Sequence, residues 1–488
     1  LTGASTYFGT TAVDAGKVIV ANGGSLGVGA VSIQTDLEYA RTDAFTLANE
    51  FSGTGNLSFL GANGVAKLTG NSNTAGLIVV VGANSTLQIG DDGVISTTGA
   101  LDGLLSVDLG AASVLRFSRT DTAMADFTAP ITGVATSRIE QNGTGKTSIF
   151  GGGSFLGDVV VNAGELEAAN ASGFEFARSI TINANGIFTA FDAALGYGTG
   201  GVGPDVTING GLMRLIEAGN ATNNGVNDLV LNGGTVSSGA GQPGLNSLYV
   251  VGAISATNDA TISAENVAFV NAGTAAVATD ITVNATKTLT FSGTIADDSV
   301  SGYASSFDKK GAGTLVLSGD NSGMTGASTV TAGVVDVRHA NALGDGTTVG
   351  PTLSAGSFTV GASAFIVSNQ TNFASAGAVA GEIIVSTGGS IGVVAPNVAI
   401  IGNLNVATLT MQSGSRIDFK IWDGAQPAGT GYDKLDLGML DLSGVTSTNR
   451  ITIKLISMSA ANAFGDSTLA LPTSPLNFAS FDFGTYNV

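Results

Sequence analysis

Residues 311–337 read GAGTLVLSGDNSGMTGASTVTAGVVDV. Short runs of Thr, Val and Leu are broken by glycines, of which Gly326 and Gly333 are seven residues apart. Val335 and Val337 then hold alternate positions. Alternation with a period of two predicts a strand with one buried face, and the glycines predict the corners between strands. The stretch therefore predicts one strand–turn–strand unit.

The same unit occurs at two other places in the chain. Residues 143–168 read GTGKTSIFGGGSFLGDVVVNAGELEA, and residues 1–20 read LTGASTYFGTTAVDAGKVIV. A more diverged copy covers residues 53–90. One such unit cannot bury its apolar face alone, so the repeats predict stacked units with a shared core. We take six glycines as the structural positions of the repeat: Gly9, Gly16, Gly157, Gly164, Gly326 and Gly333.

Shorter strand–turn–strand units follow the second copy. They read VVVNAGELE, ITINANGIF, VTINGGLMR and LVLNGGTVS, and each has an asparagine before its turn, at Asn162, Asn183, Asn209 and Asn232. The intervals between these asparagines are 21, 26 and 23 residues. Asparagine and glycine both tolerate positive φ, so we expect these positions to lie at the corners of successive coils.

The three repeat copies resemble the autotransporter-associated β-strand repeat found in passenger domains of bacterial surface proteins. The resemblance implies an all-β fold, a right-handed parallel β-helix or β-solenoid. It also implies a secreted protein located extracellularly, at the bacterial cell surface. It implies no particular chemistry.

The last part of the chain differs from the rest in composition. From about Leu404 the charges, aromatic residues and longer alternating strands increase, and Trp422, the single tryptophan, lies here. A solenoid needs an atypical end that covers its last apolar layer and unpaired strand. We therefore predict a glycine-rich parallel β-solenoid over 1–403 and a C-terminal capping and assembly region over 404–488.

Composition and charge exclude several classes of protein. With 43% hydrophobic and 11% charged residues the chain does not have the composition of a disordered protein. A net charge of −19 with only 18 Lys and Arg makes nucleic acids and anionic membranes poor partners. No run approaches the roughly 20 apolar residues of a membrane helix, so no transmembrane segment is predicted. Leu1 opens directly into a strand-like pattern, so we expect the targeting signals to lie outside this chain.

The residues that carry most catalytic and metal chemistry are scarce. There is no cysteine, and His339 is the single histidine, which excludes Cys/His dyads and histidine-rich zinc sites. The segment NGTGKT at 142–147 is similar to the end of a P-loop, but Glu140 stands where that motif requires its first glycine. We therefore predict a protein that is not an enzyme, with no catalytic residue, cofactor or metal.

Three functions remain to be compared. The favoured one is a rigid β-solenoid rod that serves as a structural fibre or filament subunit or as the stalk of an adhesin. The alternative is an adhesion module that binds surface glycans. The third is a β-helical polysaccharide lyase or hydrolase, which would need carboxylates with Arg or Lys on one face of neighbouring coils. The basic residues of the first half are widely separated in sequence, which argues against the enzyme: Arg41, Lys67, Arg116, Arg138, Lys146, Arg178 and Arg214.

The sequence also predicts self-association. Nothing equivalent to GAGTLVL precedes Leu1, so we expect an incomplete first coil with unpaired backbone groups. Residues 476–488, LNFASFDFGTYNV, have alternating aromatic residues and no Lys or Arg. A head-to-tail contact between identical subunits propagates into a filament. The candidate assembly strand is defined by Phe478, Phe481, Phe483 and Tyr486.

Overall fold

The computed structural model describes most of the chain. The described residues are 1–73, 76–91, 99–121, 126–170, 173–196, 203–216, 223–238, 247–270, 278–298, 303–339, 341–344, 357–367, 379–393, 401–423, 426, 429, 431–460, 463–465 and 483–487. They form strands, turns and bends, and they include no helix. Within these ranges there is accordingly no helical segment long and apolar enough to cross a membrane.

The chain divides into two compact units, Leu1–Leu248 and Tyr249–Val488. Within each unit short strands pair in parallel with strands one coil earlier and one coil later. The prediction of an all-β parallel β-solenoid is therefore confirmed.

The strands of the first unit are short, except for two long ones that each turn a corner. They are β1 (Thr11–Val13), β2 (Lys17–Ala21), β3 (Val31–Ile33), β4 (Asp36–Ala40), β5 (Ala44–Leu47), β6 (Phe51–Gly53), β7 (Asn56–Phe59), β8 (Val65–Leu68), β9 (Asn71–Asn73), β10 (Ile78–Val81), β11 (Thr86–Ile89), β12 (Ala100–Asp102), β13 (Ser106–Leu109), β14 (Val114–Phe117), β15 (Ile131–Gly133), β16 (Arg138–Gln141), β17 (Lys146–Ile149), β18 (Ser154–Phe155), β19 (Asp158–Ala168), β20 (Ser179–Phe191), β21 (Asp205–Asn209), β22 (Leu212–Ile216), β23 (Asn223–Val226), β24 (Leu229–Asn232) and β25 (Thr235–Ser238).

The next strand, β26 (Ser247–Val250), lies at the boundary between the units. The strands of the second unit are β27 (Ile254–Asn258), β28 (Ala260–Ser263), β29 (Asn266–Phe269), β30 (Thr279–Val283), β31 (Thr288–Phe291), β32 (Thr294–Ile295), β33 (Phe307–Lys310), β34 (Thr314–Leu317), β35 (Ser328–Val337), β36 (Ser357–Val367), β37 (Val379–Val385), β38 (Ser390–Gly392), β39 (Asn403–Met411), β40 (Arg416–Ile421), β41 (Lys434–Asp441), β42 (Thr452–Ala460), β43 (Ala463–Phe464) and β44 (Phe483–Asn487).

The core of the first unit consists of columns of apolar side chains, one residue from each coil. Val79 of β10 lies in register with Leu57 of β7 and with Val107 of β13. All three side chains are buried. On each of the three strands, the residues directly before and after the buried one are partly exposed. The period of two in the sequence therefore places one residue inside and the next outside in these three coils.

The core of the second unit is built in the same way. Leu315 of β34 lies between Leu289 of β31 and Val335 of β35, and all three are fully buried. Two residues further along β34, Leu317 lies in register with Phe291 of β31 and with Val337 of β35. The Val335 and Val337 alternation in the sequence thus marks the inward-facing residues of one coil.

The predicted boundary at residue 404 falls inside β39, which pairs in parallel with both β37 and β41. Parallel stacking therefore continues past this residue. Antiparallel contacts also occur in this part of the chain, between Ile421 and Tyr432 and between β42 and β43. The assignment of 404–488 as a cap remains a prediction.

Candidate functional site

The glycine corner of the best repeat copy combines an unusual backbone conformation with a very close contact. Gly333 has φ of 80°, in the left-handed region. A Cβ at this position would lie 2.4 Å from the carbonyl oxygen of Gly311 and 2.5 Å from that of Gly313, both in the preceding coil. A side chain here would strain the backbone and also collide with the neighbouring coil.

The second copy has the same corner. Gly164 has φ of 63°, and a Cβ would lie 2.3 Å from the oxygen of Gly145 and 2.4 Å from that of Gly143. In the first copy Gly16 has φ of 74°, and nothing lies within 4 Å of its Cβ position. The positive φ is thus common to the three copies, whereas the close contact occurs in two of them.

The glycine seven residues earlier has a different role. At Gly157 a Cβ would lie 2.2 Å from the oxygen of Ser137, and at Gly326 it would lie 2.4 Å from that of Ser305. Neither glycine has positive φ, so the close approach of two coils alone requires glycine there. At Gly9 nothing lies within 4 Å of the Cβ position.

At the corners of Gly333 and Gly164 a buried polar side chain donates hydrogen bonds to carbonyl oxygens. The Lys309 ammonium donates hydrogen bonds to the oxygens of Lys310, Gly311 and Ala332, at 2.7, 2.8 and 3.1 Å. Burial lowers the pKa of Lys309 to about 8, although the Asp308 carboxylate partly opposes this shift. A buried carbonyl without a donor is costly, so this side chain stabilises the corner.

Gln141 stands at the position of Lys309 in the second copy. Its amide nitrogen donates to the oxygens of Gly143 and Gly145, at 2.9 and 3.2 Å, and its amide oxygen accepts from the Thr147 hydroxyl at 2.8 Å. Sequence reasoning missed both residues because a lysine and a glutamine show no shared pattern. The sequence did contain a signal, which is their position. Lys309 lies two residues before Gly311, and Gln141 lies two residues before Gly143.

Comparison with models of protein families shows what the segments containing these corners are similar to. The family model of the passenger-associated-transport-repeat matches residues 1–20 and 307–337, which include the first corner and the corner of Gly333 and Lys309. These two segments are similar to the passenger-associated-transport-repeat. The resemblance to autotransporter passenger repeats is thereby confirmed. Comparisons with curated proteins and with solved structures return no match.

The passenger-associated-transport repeats and the β-solenoid together indicate an autotransporter passenger-type β-helix. Such a repeat indicates a secreted or cell-surface protein. Residues 143–168 lie outside the matched segments but have the same corner, with Gly164 and Gln141 in the places of Gly333 and Lys309.

A ladder of asparagine side chains follows the second corner. The amide nitrogen of Asn162 donates to the amide oxygen of Asn142 at 2.7 Å, and Asn183 donates to Asn162 at 2.6 Å. Asn209 donates to Asn183 at 3.0 Å, and Asn232 donates to Asn209 at 2.8 Å. Each bond joins one coil to the next. Four of these residues are those whose spacing predicted the coils, and the structure brings them together.

The structure also joins charged residues that are far apart in sequence. The Lys146 ammonium lies 2.5 Å from a carboxylate oxygen of Glu167 and 3.8 Å from one of Glu165. The Arg214 guanidinium lies 3.5 Å from the same Glu165 oxygen. These basic residues are separated in sequence, but the structure brings Lys146 and Arg214 to one carboxylate, Glu165, and likewise brings Arg116 and Arg138 to Glu140. Coils of different length, which cannot be measured from sequence, place them on one face.

This charged group resembles the constellation that a polysaccharide-cleaving solenoid would need, but its members are bonded to one another. The Thr189 hydroxyl donates to Glu165 at 2.8 Å, and the Ser148 hydroxyl donates to Glu167 at 3.0 Å. Both carboxylates therefore serve as acceptors for neighbouring coils. Across the described part of the chain no group of three His, Cys, Asp or Glu could hold a metal ion.

Two other candidates from the sequence have ordinary environments. His339 is partly exposed, and its Nδ1 accepts a hydrogen bond from the backbone amide of Asn341 at 3.1 Å. Phe483 and Tyr486 of the candidate assembly strand lie in β44, which pairs in parallel with β41 of the same chain. Phe478 and Phe481 lie outside the described residues.

Proposed function

We propose that the chain is a non-enzymatic structural protein, a β-solenoid stalk or fibre subunit displayed outside the cell. One observation carries this proposal. The polar side chains with the chemistry for catalysis or binding are used instead as bonds between coils, in the asparagine ladder and in the Lys146–Glu165–Arg214 group.

These bonds run along the direction in which the coils are stacked. Each partly buried amide bond of the ladder contributes on the order of 1 kcal/mol, and the bonds are repeated coil after coil. The partly exposed ion pairs of the charged group add less, about 0–1 kcal/mol each. Because these bonds recur at successive coil junctions, they hold neighbouring coils together along the ladder, which is what a stalk requires.

An activity assay tests the non-enzymatic part of the proposal. We expect no cleavage of neutral or acidic polysaccharides, with or without calcium, when new reducing ends and unsaturated products are measured. Glu167→Gln provides the decisive variant, because Glu167 has the geometry of an acid or base beside Lys146. Turnover by the wild type that Glu167→Gln abolishes would overturn the proposal.

We also propose that the subunits associate end to end. Two patches of exposed apolar side chains support this: Tyr7, Phe8 and Val28 in the first unit, and Ile453 and Leu455 on β42. Electron microscopy of the wild type should show fibres, and Leu455→Ser should reduce their number. Separate particles at every protein concentration would overturn the proposed end-to-end association. This outcome is independent of the activity assay, which tests only the non-enzymatic part of the proposal.

A further inference from the structure

A hairpin interrupts the coil between β40 and β41. The pairs Gly392–Asp418 and Asn403–Lys434 lie in register. The earlier coil advances eleven positions in sequence between these two points, from 392 to 403. The later coil advances sixteen positions between the equivalent points, from 418 to 434. The five extra residues fall between Ile421 and Tyr432, which form an antiparallel bridge. This hairpin is an addition to the parallel stack.

The base of the hairpin is firmly held. The backbone amides of Trp422 and Asp423 both donate to the oxygen of Gly431, at 2.9 and 3.1 Å. The buried Asp433 carboxylate accepts from the backbone amides of Lys420 at 2.8 Å and Gly402 at 3.0 Å. Since Gly402 belongs to the preceding coil, Asp433 fixes the hairpin to the stack. A rigid scaffold that presents a loop is the usual arrangement of binding sites.

The side chains at the start of the hairpin differ from those of the surrounding coils. Phe291, Phe307 and Phe419 of the same unit are buried. By contrast, Trp422 and Asp423 are partly exposed, and Gln426 is exposed. The hairpin thus brings an indole ring, a carboxylate and a carboxamide to the surface within five residues.

We propose that Trp422, Asp423 and Gln426 form a binding site for a neutral carbohydrate. The apolar face of a pyranose ring packs on an indole ring, and the carboxylate and carboxamide accept and donate hydrogen bonds to its hydroxyl groups. The net charge of −19 disfavours an anionic sugar. This site goes beyond the proposed structural function, because it gives the stalk a ligand.

Intrinsic fluorescence tests the site directly, since Trp422 is the only tryptophan in the chain. The full chain is titrated with hexamers of glucose in β-1,4 and α-1,4 linkage, of mannose and of N-acetylglucosamine. We expect a saturable change in emission with at least one of these oligosaccharides. Asp423→Asn and Gln426→Ala should each weaken the binding about tenfold, the effect of one lost hydrogen bond to a ligand.

Two controls make the outcome unambiguous. Phe176→Ala changes an exposed aromatic residue of the first unit and should leave the binding constant unchanged. Trp422→Phe is followed by calorimetry because it removes the fluorophore. No saturable change with any hexamer, or binding that Asp423→Asn and Gln426→Ala leave intact, would overturn the site. Cleavage of the bound sugar would instead overturn the non-enzymatic function.

Discussion

At Gly164 and Gly333 two demands meet at a single Cα atom: a positive φ, and a neighbouring coil whose carbonyl oxygens lie within 2.5 Å of the missing Cβ. Gly210 meets only the first demand. Its φ is 81°, but the nearest atom to its Cβ position is 3.5 Å away, an ordinary contact. The two kinds of glycine therefore separate conformational strain from steric overlap.

This difference gives a prediction for alanine substitutions. Gly210→Ala should lower the free energy of unfolding by about 1–2 kcal/mol, the cost of a left-handed conformation. Gly164→Ala and Gly333→Ala should lower it by about 3 kcal/mol or more, because overpacking adds to that strain. Guanidinium denaturation followed by circular dichroism measures all three. Equal losses would show that the close contact at Gly164 and Gly333 contributes nothing.

Lys309 supplies a second prediction at this scale. Lys309→Gln should stay close to wild-type stability at pH 7, because Gln141 donates to the oxygen of Gly143, which corresponds to that of Gly311, in the other copy. Lys309→Met fills the space without donors and should lower the free energy of unfolding by about 1–3 kcal/mol. Denaturation midpoints at pH 7 give the comparison. A variant with methionine as stable as the one with glutamine would contradict the donor role.

The pH dependence of the same residue follows from its lowered pKa. Between the folded pKa of about 8 and the ordinary value of 10.5, the unfolded chain holds the Lys309 proton more often than the folded chain. Lys309 therefore makes stability rise with pH across this window, and Lys309→Gln removes that rise. The same slope in wild type and variant would show that the pKa of Lys309 is not lowered.

At the scale of elements, the asparagine ladder depends on the direction of its hydrogen bonds. Asn183 donates to Asn162 and accepts from Asn209, whereas the oxygen of Asn142 accepts from Asn162. An aspartate can replace an acceptor but cannot, when ionised, replace a donor. The five residues are therefore chemically alike in sequence but not equivalent in the ladder.

We expect Asn183→Asp to lower the free energy of unfolding by about 2 kcal/mol at pH 7, because the new carboxylate faces the Asn162 oxygen. Asn142→Asp should change it by less than about 0.5 kcal/mol, since its acceptor remains. At pH 3 the carboxyl group introduced by Asn183→Asp is protonated and can donate again, so the difference should shrink. Thermal unfolding at both pH values checks this. Equal effects of the two variants would contradict the direction of the ladder.

The sequence predicted the elements well where one residue type repeats. Gly326, Gly333 and the valines after them located the corner and the inward-facing positions, because glycine and β-branched residues each have a strong local conformational preference. The ladder was predicted only as a set of corners, since turn preference says nothing about side-chain partners. The Trp422 hairpin was not predicted, because its five extra residues show only against the register of the preceding coil.

At the scale of each unit, stacking decides which residues meet. Lys146 and Glu167 are 21 positions apart in sequence, and Lys146 and Arg214 are 68 apart, yet all lie in one charged group. Such contacts follow from the number of residues in every intervening coil, and these numbers vary. The parallel fold was therefore predictable from the repeats, whereas the charged group required the structure.

Successive coils lie in parallel, residue over residue, and paired cysteines give a direct test of this register. The chain has no cysteine. Thr181 lies in register with Thr207, and Thr207 in register with Val230, and all three are partly exposed. Neighbouring strands are about 4.8 Å apart, a distance that a disulfide spans, and strands two coils apart are separated by about twice as much.

The measurement is disulfide formation after mild oxidation, followed by counting free thiols under denaturing conditions. We predict that Thr181→Cys with Thr207→Cys forms the bond almost completely. Thr181→Cys with Val230→Cys should keep both thiols free. Efficient bonding of the second pair, or none of the first while both thiols react with a soluble reagent, would contradict the stacked register.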